Sequence, residues 1–176
     1  VDVEDEVADF VSESGNPGNT KRVERVDITV PSPLLADGLA IIDTPGAGGM
    51  LAGHAAATLS FLPFADGMVF VTDASSELTA PELSFLDDAV SRCPNVVVAL
   101  AKNDITPEWR RIAAIDQEHL ERRGLSVPIL PVSSERHRQR LEGDAPDPGG
   151  VGALVELLRR EIVEPAKATS ARRIAS

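Results

Sequence analysis

The chain has a single cysteine, Cys93, so no internal disulfide can form, and its three histidines are scattered without the spacing of a zinc site. It lacks a signal-peptide pattern and any run near the roughly eighteen apolar residues that a bilayer span requires. Basic residues are scarce in the first part: positions 1 to 100 carry 4 basic and 16 acidic groups, against 13 and 12 in positions 101 to 176. That balance argues against nucleic-acid binding by the first half. There are no internal repeats. What these absences leave is a soluble chain suited to a reducing cytoplasm. With 176 residues, 43% of them apolar, it can build the core of one domain and the start of another. It begins at Val1 rather than Met and enters an acidic stretch at once, so it is expected to be a fragment. The arginine pairs of the second half (Arg110-Arg111, Arg122-Arg123, Arg159-Arg160, Arg172-Arg173) are each matched by nearby acids. They read as solvated helix faces, with a lipid or partner surface as the alternative.

The most informative stretch is Leu39-Ala40-Ile41-Ile42-Asp43-Thr44-Pro45-Gly46-Ala47-Gly48-Gly49. Four apolar residues, bounded by Asp37-Gly38 and Pro45-Gly46, suit a parallel strand covered on both faces, and ligands in such sheets bind beyond the strands' carboxyl ends. There Asp43 can hold Mg²⁺ through water, while the Gly46 amide can approach a terminal phosphate unobstructed by a side chain. Read alone, the same letters also fit a strand followed by an ordinary turn.

Elsewhere, Glu4 to Ser12 places Val7, Phe10 and Val11 at helical spacing. Val23 to Val30 alternates as a half-buried strand with Val26, Ile28 and Val30 inward. A helix is expected over 51 to 64. Three further apolar strands follow, at Gly67 to Ala74, Asn95 to Ala101 and Val127 to Val132. Thr79-Ala80-Pro81-Glu82 has the capping-box spacing and opens a helix to about Arg92, and Thr106-Pro107 opens another that carries Trp109, Ile112, Ala113 and Leu120. Residues 135 to 150 read as a polar loop before a last helix from about Val151. Strands alternating with helices make this an α/β chain with a parallel sheet layered by helices.

Polar groups stand at three strand ends in order: Asp43-Thr44-Pro45-Gly46, Lys102-Asn103-Asp104 and Ser133-Ser134. A guanine base offers N1-H and the exocyclic amine, two parallel donors that one carboxylate accepts together, and a lysine stem can lie along its ring. Asp104 and Lys102 supply those functions. The loop at Ser133-Ser134 is placed to reach the guanine O6.

With these motifs in order, the chain resembles a GTPase of the P-loop class, in which DxxG, [NT]KxD about sixty residues on and a Ser-containing loop mark the phosphate, guanine and base-loop positions. Here Asp43 and Lys102 are 59 positions apart. Within the class it most resembles the bacterial dynamin-like proteins, especially actinobacterial ones of the isoniazid-inducible type, through Ala65-Asp66-Gly67-Met68-Val69-Phe70-Val71-Thr72-Asp73-Ala74 and Glu77-Leu78-Thr79-Ala80-Pro81-Glu82-Leu83. The resemblance runs from about Asn16 to Glu164. It implies a three-layer, mostly parallel sheet of the P-loop GTPase type, truncated and lacking its first, phosphate-loop strand. Residues 1–164 would be the C-terminal greater part of a dynamin-type GTPase domain, and residues 165–176 the start of a connection to a missing helical stalk. The cofactors implied are GTP or GDP and Mg²⁺, both needing upstream residues. Asp43, Thr44 and Gly46 would serve catalysis, with Asp43 at the metal, and Lys102, Asp104, Ser133 and Ser134 would hold the nucleotide. In the full-length protein the resemblance implies GTPase-domain self-association, membrane contact only through missing regions, no nucleic-acid partner, and a peripheral place at the inner face of the plasma membrane.

This chain departs from the pattern in several places. No Gly-x-x-x-x-Gly-Lys-Ser/Thr occurs, so the loop that cradles phosphates and the hydroxyl that holds Mg²⁺ are absent. The family's switch threonine would lie at or before Val1, and Thr20, which follows a helix, is a poor candidate. Ala101 replaces the Asn or Thr of the guanine motif, which puts affinity in question more than base choice. Ala47 stands where Ras-like enzymes place a water-orienting glutamine, a lack shared by dynamin-like enzymes. His54 as a substitute base is outweighed by a surface or capping role. Asp73 and Glu77 read as braces of the capped helix, Trp109 as packing and Cys93 as a buried thiol. Without the phosphate-loop strand, the Ile41 and Val69 strands lose a neighbour, so the isolated piece is expected to be unstable, aggregation-prone or swapped. The alternatives are a ribosome- or translation-associated GTPase domain, and a nucleotide-free interaction module that docks through its acidic half. The reading frame upstream of Val1 separates these: a phosphate loop there supports the enzyme.

Overall fold

The computed structural model describes residues 3–23, 25–36, 38–44, 52–143 and 149–165. It divides into two compact units, residues 1–36 and 37–176.

In the first unit, helix α1 (Val3–Val11) ends where Ser12 turns its hydroxyl back onto the Ala8 carbonyl at 2.6 Å. The turn beyond is organised by buried Asn16. Its amide donates to the Phe10 carbonyl at 2.8 Å and to Asn19 Oδ1 at 2.9 Å, and its Oδ1 accepts from the Lys21 amide at 2.9 Å. Lys21 then lies over the Phe10 ring, 5.0 Å from its centroid. The strand expected over 23–30 does not form: the described residues there are irregular, Val26 is half-buried, and Ile28 and Val30 are exposed. Alternation describes the two faces of a strand but supplies no partner. Among the described residues none pairs with this segment.

The second unit contains the sheet. Helix α2 (Ala52–Phe61) continues into a 3₁₀ turn at Leu62–Phe64 and is followed by β1 (Met68–Asp73), α3 (Ala80–Val90), β2 (Val96–Ala101), α4 (Trp109–Arg122), β3 (Ile129–Pro131), α5 (Ser134–Glu142) and α6 (Val151–Leu158), which runs into a π-helical turn at Arg159–Val163. The three strands are parallel in the order β1-β2-β3, with Asp73 opposite Ala101 and Leu100 opposite Pro131. This is the expected α/β class. β2, Val-Val-Val-Ala-Leu-Ala, is the central strand, and Val97 and Ala99 on one face are as buried as Val98 and Leu100 on the other. A run apolar on both faces needs such a place. The main core joins Phe70, Val98, Leu83, Phe85, Leu86 and Leu120, with the Phe70 and Phe85 ring centroids 5.7 Å apart.

α3 starts on the expected capping box: Thr79 accepts from the Glu82 amide at 3.4 Å, and Glu82 accepts from the Thr79 amide at 2.8 Å. α4 begins at Trp109, two residues after the expected Thr106-Pro107 start, because 102–108 are spent in successive turns. Two further expectations fail. Residues 39–42 are irregular rather than a strand, with Ile41 and Ile42 exposed, since the neighbour they need is not among the described residues. The first part of the expected 135–150 loop is helix α5. Its sequence has almost no apolar residue to give a period, and it is held instead by Ser133, whose Oγ accepts from the Arg136 amide at 3.1 Å, and by Arg138 bridging Glu135 and Glu142.

Candidate functional site

The parallel register fixes what meets at the carboxyl edge of the sheet. Asp73 ends β1 opposite Ala101 of β2, and the Ala74 amide donates to the Ala101 carbonyl at 2.9 Å. On the other side, the Val132 amide donates to the Leu100 carbonyl at 2.8 Å. Asp73, Lys102-Asn103-Asp104 and Ser133-Ser134 therefore leave three adjacent strands side by side.

Lys102 leaves β2 with φ 61°, in the left-handed region that a residue with a Cβ seldom adopts. Its Nζ meets Asp73 Oδ2 at 3.2 Å. Asp73 is itself anchored, since its Oδ1 accepts from the Ser75 amide at 2.9 Å and from the Ser75 hydroxyl. Those bonds from Ser75, with Lys102 beside them, lower the Asp73 carboxyl to about 2. Asn103 is buried, and its Oδ1 has no hydrogen-bond partner among the described residues. Asp104 is half-buried; the neighbouring Glu135 carboxyl is lowered by its bonds from Arg138 and Gln139, and Asp104 opposes that shift. Ser133 is buried and caps α5, with its amide donating to the Gly149 carbonyl at 2.7 Å, while Ser134 is exposed as the first residue of that helix. The first turn of α5 thus brings peptide N–H groups to the edge where Asp104 stands.

The structure brings Lys102, Asp104, Ser133 and Ser134 together. Asp43 and Thr44 are exposed on irregular backbone, whereas Gly46, Ala47 and the His54 side chain fall outside the described residues. Asp43 and Thr44 offer hard oxygen donors, and among the described residues no group of three His, Cys, Asp or Glu side chains gathers as a metal cage. That donor set fits Mg²⁺, which takes one or two carboxylates and completes its shell with water and phosphate oxygens. It does not fit zinc.

Asp73 and Glu77 do not share one task as braces of α3. Asp73 is turned to Ser75 and Lys102, and Glu77 Oε2 lies 3.4 Å from His119 Nε2 of α4. An Asp followed by Ser two residues later at a strand end was the available signal for the first of these. Sequence reading also passed over Asp116, which sits on the Ile112-Leu120 face of α4. It is fully buried; its Oδ1 accepts from the Leu78 amide at 2.7 Å, and its Oδ2 has no partner among the described residues. Burial pushes its carboxyl upward, opposed by the Leu78 amide and by His119. Trp109 is half-buried under the Arg110 guanidinium, 4.4 Å from its ring centroid, and Cys93 is buried with its thiol raised by desolvation.

Comparison with known proteins places the chain in a family. A model of the dynamin family matches residues 4–103. The chain is 42% identical over 130 residues to the isoniazid-induced protein IniA of Mycobacterium tuberculosis, covering 74% of this chain and 20% of that protein. It is 30% identical over 102 residues to an uncharacterized protein from the xynA 3′ region of Caldicellulosiruptor, covering 58% of this chain and 25% of that one. With the probable transmembrane GTPase FZO-like, chloroplastic, of Arabidopsis thaliana it shares 36% identity over 83 residues, 47% of this chain and 9% of the relative. The chain belongs to the dynamin family. It spans 20% of the length of the mycobacterial relatives it matches.

Proposed function

We propose that the chain is the greater part, residues 1–164, of the GTPase domain of a dynamin-like membrane-remodelling protein, followed from residue 165 by the start of a connection to a helical stalk. The observation that carries this reading is the convergence of Lys102, Asp104 and Ser133-Ser134 on one sheet edge in a chain of the dynamin family. Asp104 accepts the two donors of guanine, the Lys102 stem lies on the base, and the Ser133-Ser134 segment at the start of α5 faces the O6. The unpartnered Oδ1 of buried Asn103 leaves an acceptor beside this pocket. Asp43 would hold Mg²⁺, and Thr44 and Gly46 would serve the terminal phosphate. Bound Mg²⁺ would offset negative charge on the phosphates.

Upstream residues complete the phosphate site, and GTPase domains pair across the nucleotide at the inner face of the plasma membrane. Among the described residues no helix is long and apolar enough to cross a membrane. In this reading, contact with lipid is made by other parts of the gene product. On its own the chain is inactive for want of the phosphate-loop motif, and it is prone to aggregate or swap, because among the described residues no strand pairs with the outer edge of β1 and Val71 there is 64% exposed.

The test is Asp104→Asn in the complete gene product. An amide presents a donor to one guanine donor and an acceptor to the other, so preference moves from GTP toward XTP. Unchanged selectivity removes Asp104 from the base pocket.

A further inference from the structure

We infer that Asp73, at the end of β1, is a positioning residue for the base pocket: it holds the Lys102 ammonium so that the lysine stem is laid out for the guanine ring before nucleotide arrives. The inference rests on the guanine-site reading of Lys102 and extends it to a residue on a different strand. Three features of the structure support it.

The ammonium is tethered by the 3.2 Å contact to Asp73 Oδ2, and the left-handed backbone at Lys102, φ 61°, fixes the direction in which the stem leaves the chain. The carboxylate that receives it is itself fixed. Asp73 Oδ1 accepts both the amide and the hydroxyl of Ser75, so the second oxygen is left aimed at the lysine. Finally, the pairing of Asp73 with Ala101 puts Asp73 level with the residue just before Lys102 on the adjacent strand, with the Ala74 amide bonded to the Ala101 carbonyl as a second tie. A lysine stem free in solution loses rotamer entropy when it is laid along a ligand, and a preset anchor removes part of that loss from the binding step. With its carboxyl lowered to about 2, chiefly by the bonds from Ser75, Asp73 is charged at neutral pH.

The pair is exposed, with 59% of the Lys102 side chain and 37% of the Asp73 side chain accessible, so its effect is modest and weakens in salt. Release of mant-GDP from the complete gene product, followed by stopped flow, is the measurement. Asp73→Ala is expected to speed release about two- to fivefold when Lys102 is present, the range of an exposed ion pair, and to change it little in a Lys102→Ala background. Asp73→Asn keeps an acceptor for Ser75 while losing the charge, and is expected to behave as Asp73→Ala does, with an unchanged melting temperature. Equal acceleration in both backgrounds overturns the inference, because Asp73 would then act through the Ser75 turn alone. No acceleration in either background overturns it as well. Failure of the underlying reading looks different: unaltered protein that does not bind mant-GDP, or an Asp104→Asn variant with unchanged base preference, removes the pocket and the inference with it.

Discussion

Asp116 offers the sharpest test of how the unit is held together. Its Oδ1 is the acceptor for the buried Leu78 amide, in the segment that joins β1 to the Thr79 cap, while α4 carries Asp116 itself. Asp116→Ala deletes that acceptor and leaves a buried N–H unpaired, a cost of about 1–3 kcal/mol. If the segment opens locally, its amide exchange accelerates by about 5- to 150-fold, since about 1.4 kcal/mol is a factor of ten. Asp116→Asn keeps an oxygen in the same place and is expected to leave Leu78 exchange within about threefold of the parent, well inside the effect of an orphaned donor. Hydrogen exchange with mass spectrometry over residues 75–83 of the complete gene product reads both. The same substitution separates charge from acceptor through pH. Burial raises the folded carboxyl above its unfolded value of about 3.9, so the native state binds the proton more tightly. This contribution to stability is fully present below the unfolded value and is lost as pH rises through the raised folded one; Glu77 and Glu82 favour the proton and His119 opposes it. Asp116→Asn abolishes that part of the pH dependence. An Asn variant that exchanges as fast as the Ala variant, or an Ala variant indistinguishable from the parent, refutes the reasoning.

Two further substitutions test the local geometry. Thr79→Ala removes the capping-box hydroxyl at the start of α3 and is expected to cost about 1 kcal/mol, seen as faster exchange in the first turn of residues 80–90; unchanged exchange there shows that Glu82 alone suffices. Gly150 has φ 74° at the start of α6, and a Cβ there would press on the Pro131 carbonyl oxygen. Gly150→Ala is therefore expected to destabilise the β3–α6 junction by more than the roughly 1–2 kcal/mol of left-handed strain alone, with faster exchange in residues 151–158, and a neutral result would show that the junction yields easily.

The parts legible in sequence were those whose signals are local. β1, β2, α3 and α6 announce themselves by continuous apolar runs, a capping box or helical spacing, and each is found within a few residues of its expected place. The residues proposed for the base side stand directly after such runs, so their place at the sheet edge could be read in advance. What the sequence concealed depends on partners. The alternation at 23–30 and the apolar run at 39–42 look like strands, but a strand exists only with a neighbour to pair with. α5 was concealed for the opposite reason: Arg138, Glu135 and Glu142 hold it by charge, which leaves no apolar period to detect. Asp73 and Asp116 act on residues 29 and 38 positions away, a distance only the folded sheet closes.

The left-handed backbone at Lys102 sets two kinds of selection against each other at a single codon. A residue with a Cβ is strained at φ 61° by about 1–2 kcal/mol, while Gly takes the same conformation without that penalty and Asn with less of it. A library screened only for heat resistance would therefore drift from Lys to Gly at this position and discard the ammonium in the process. Among divergent copies of this domain, a Gly or Asn there would mark lineages in which the lysine's task has lapsed, legible from one letter before any assay is run.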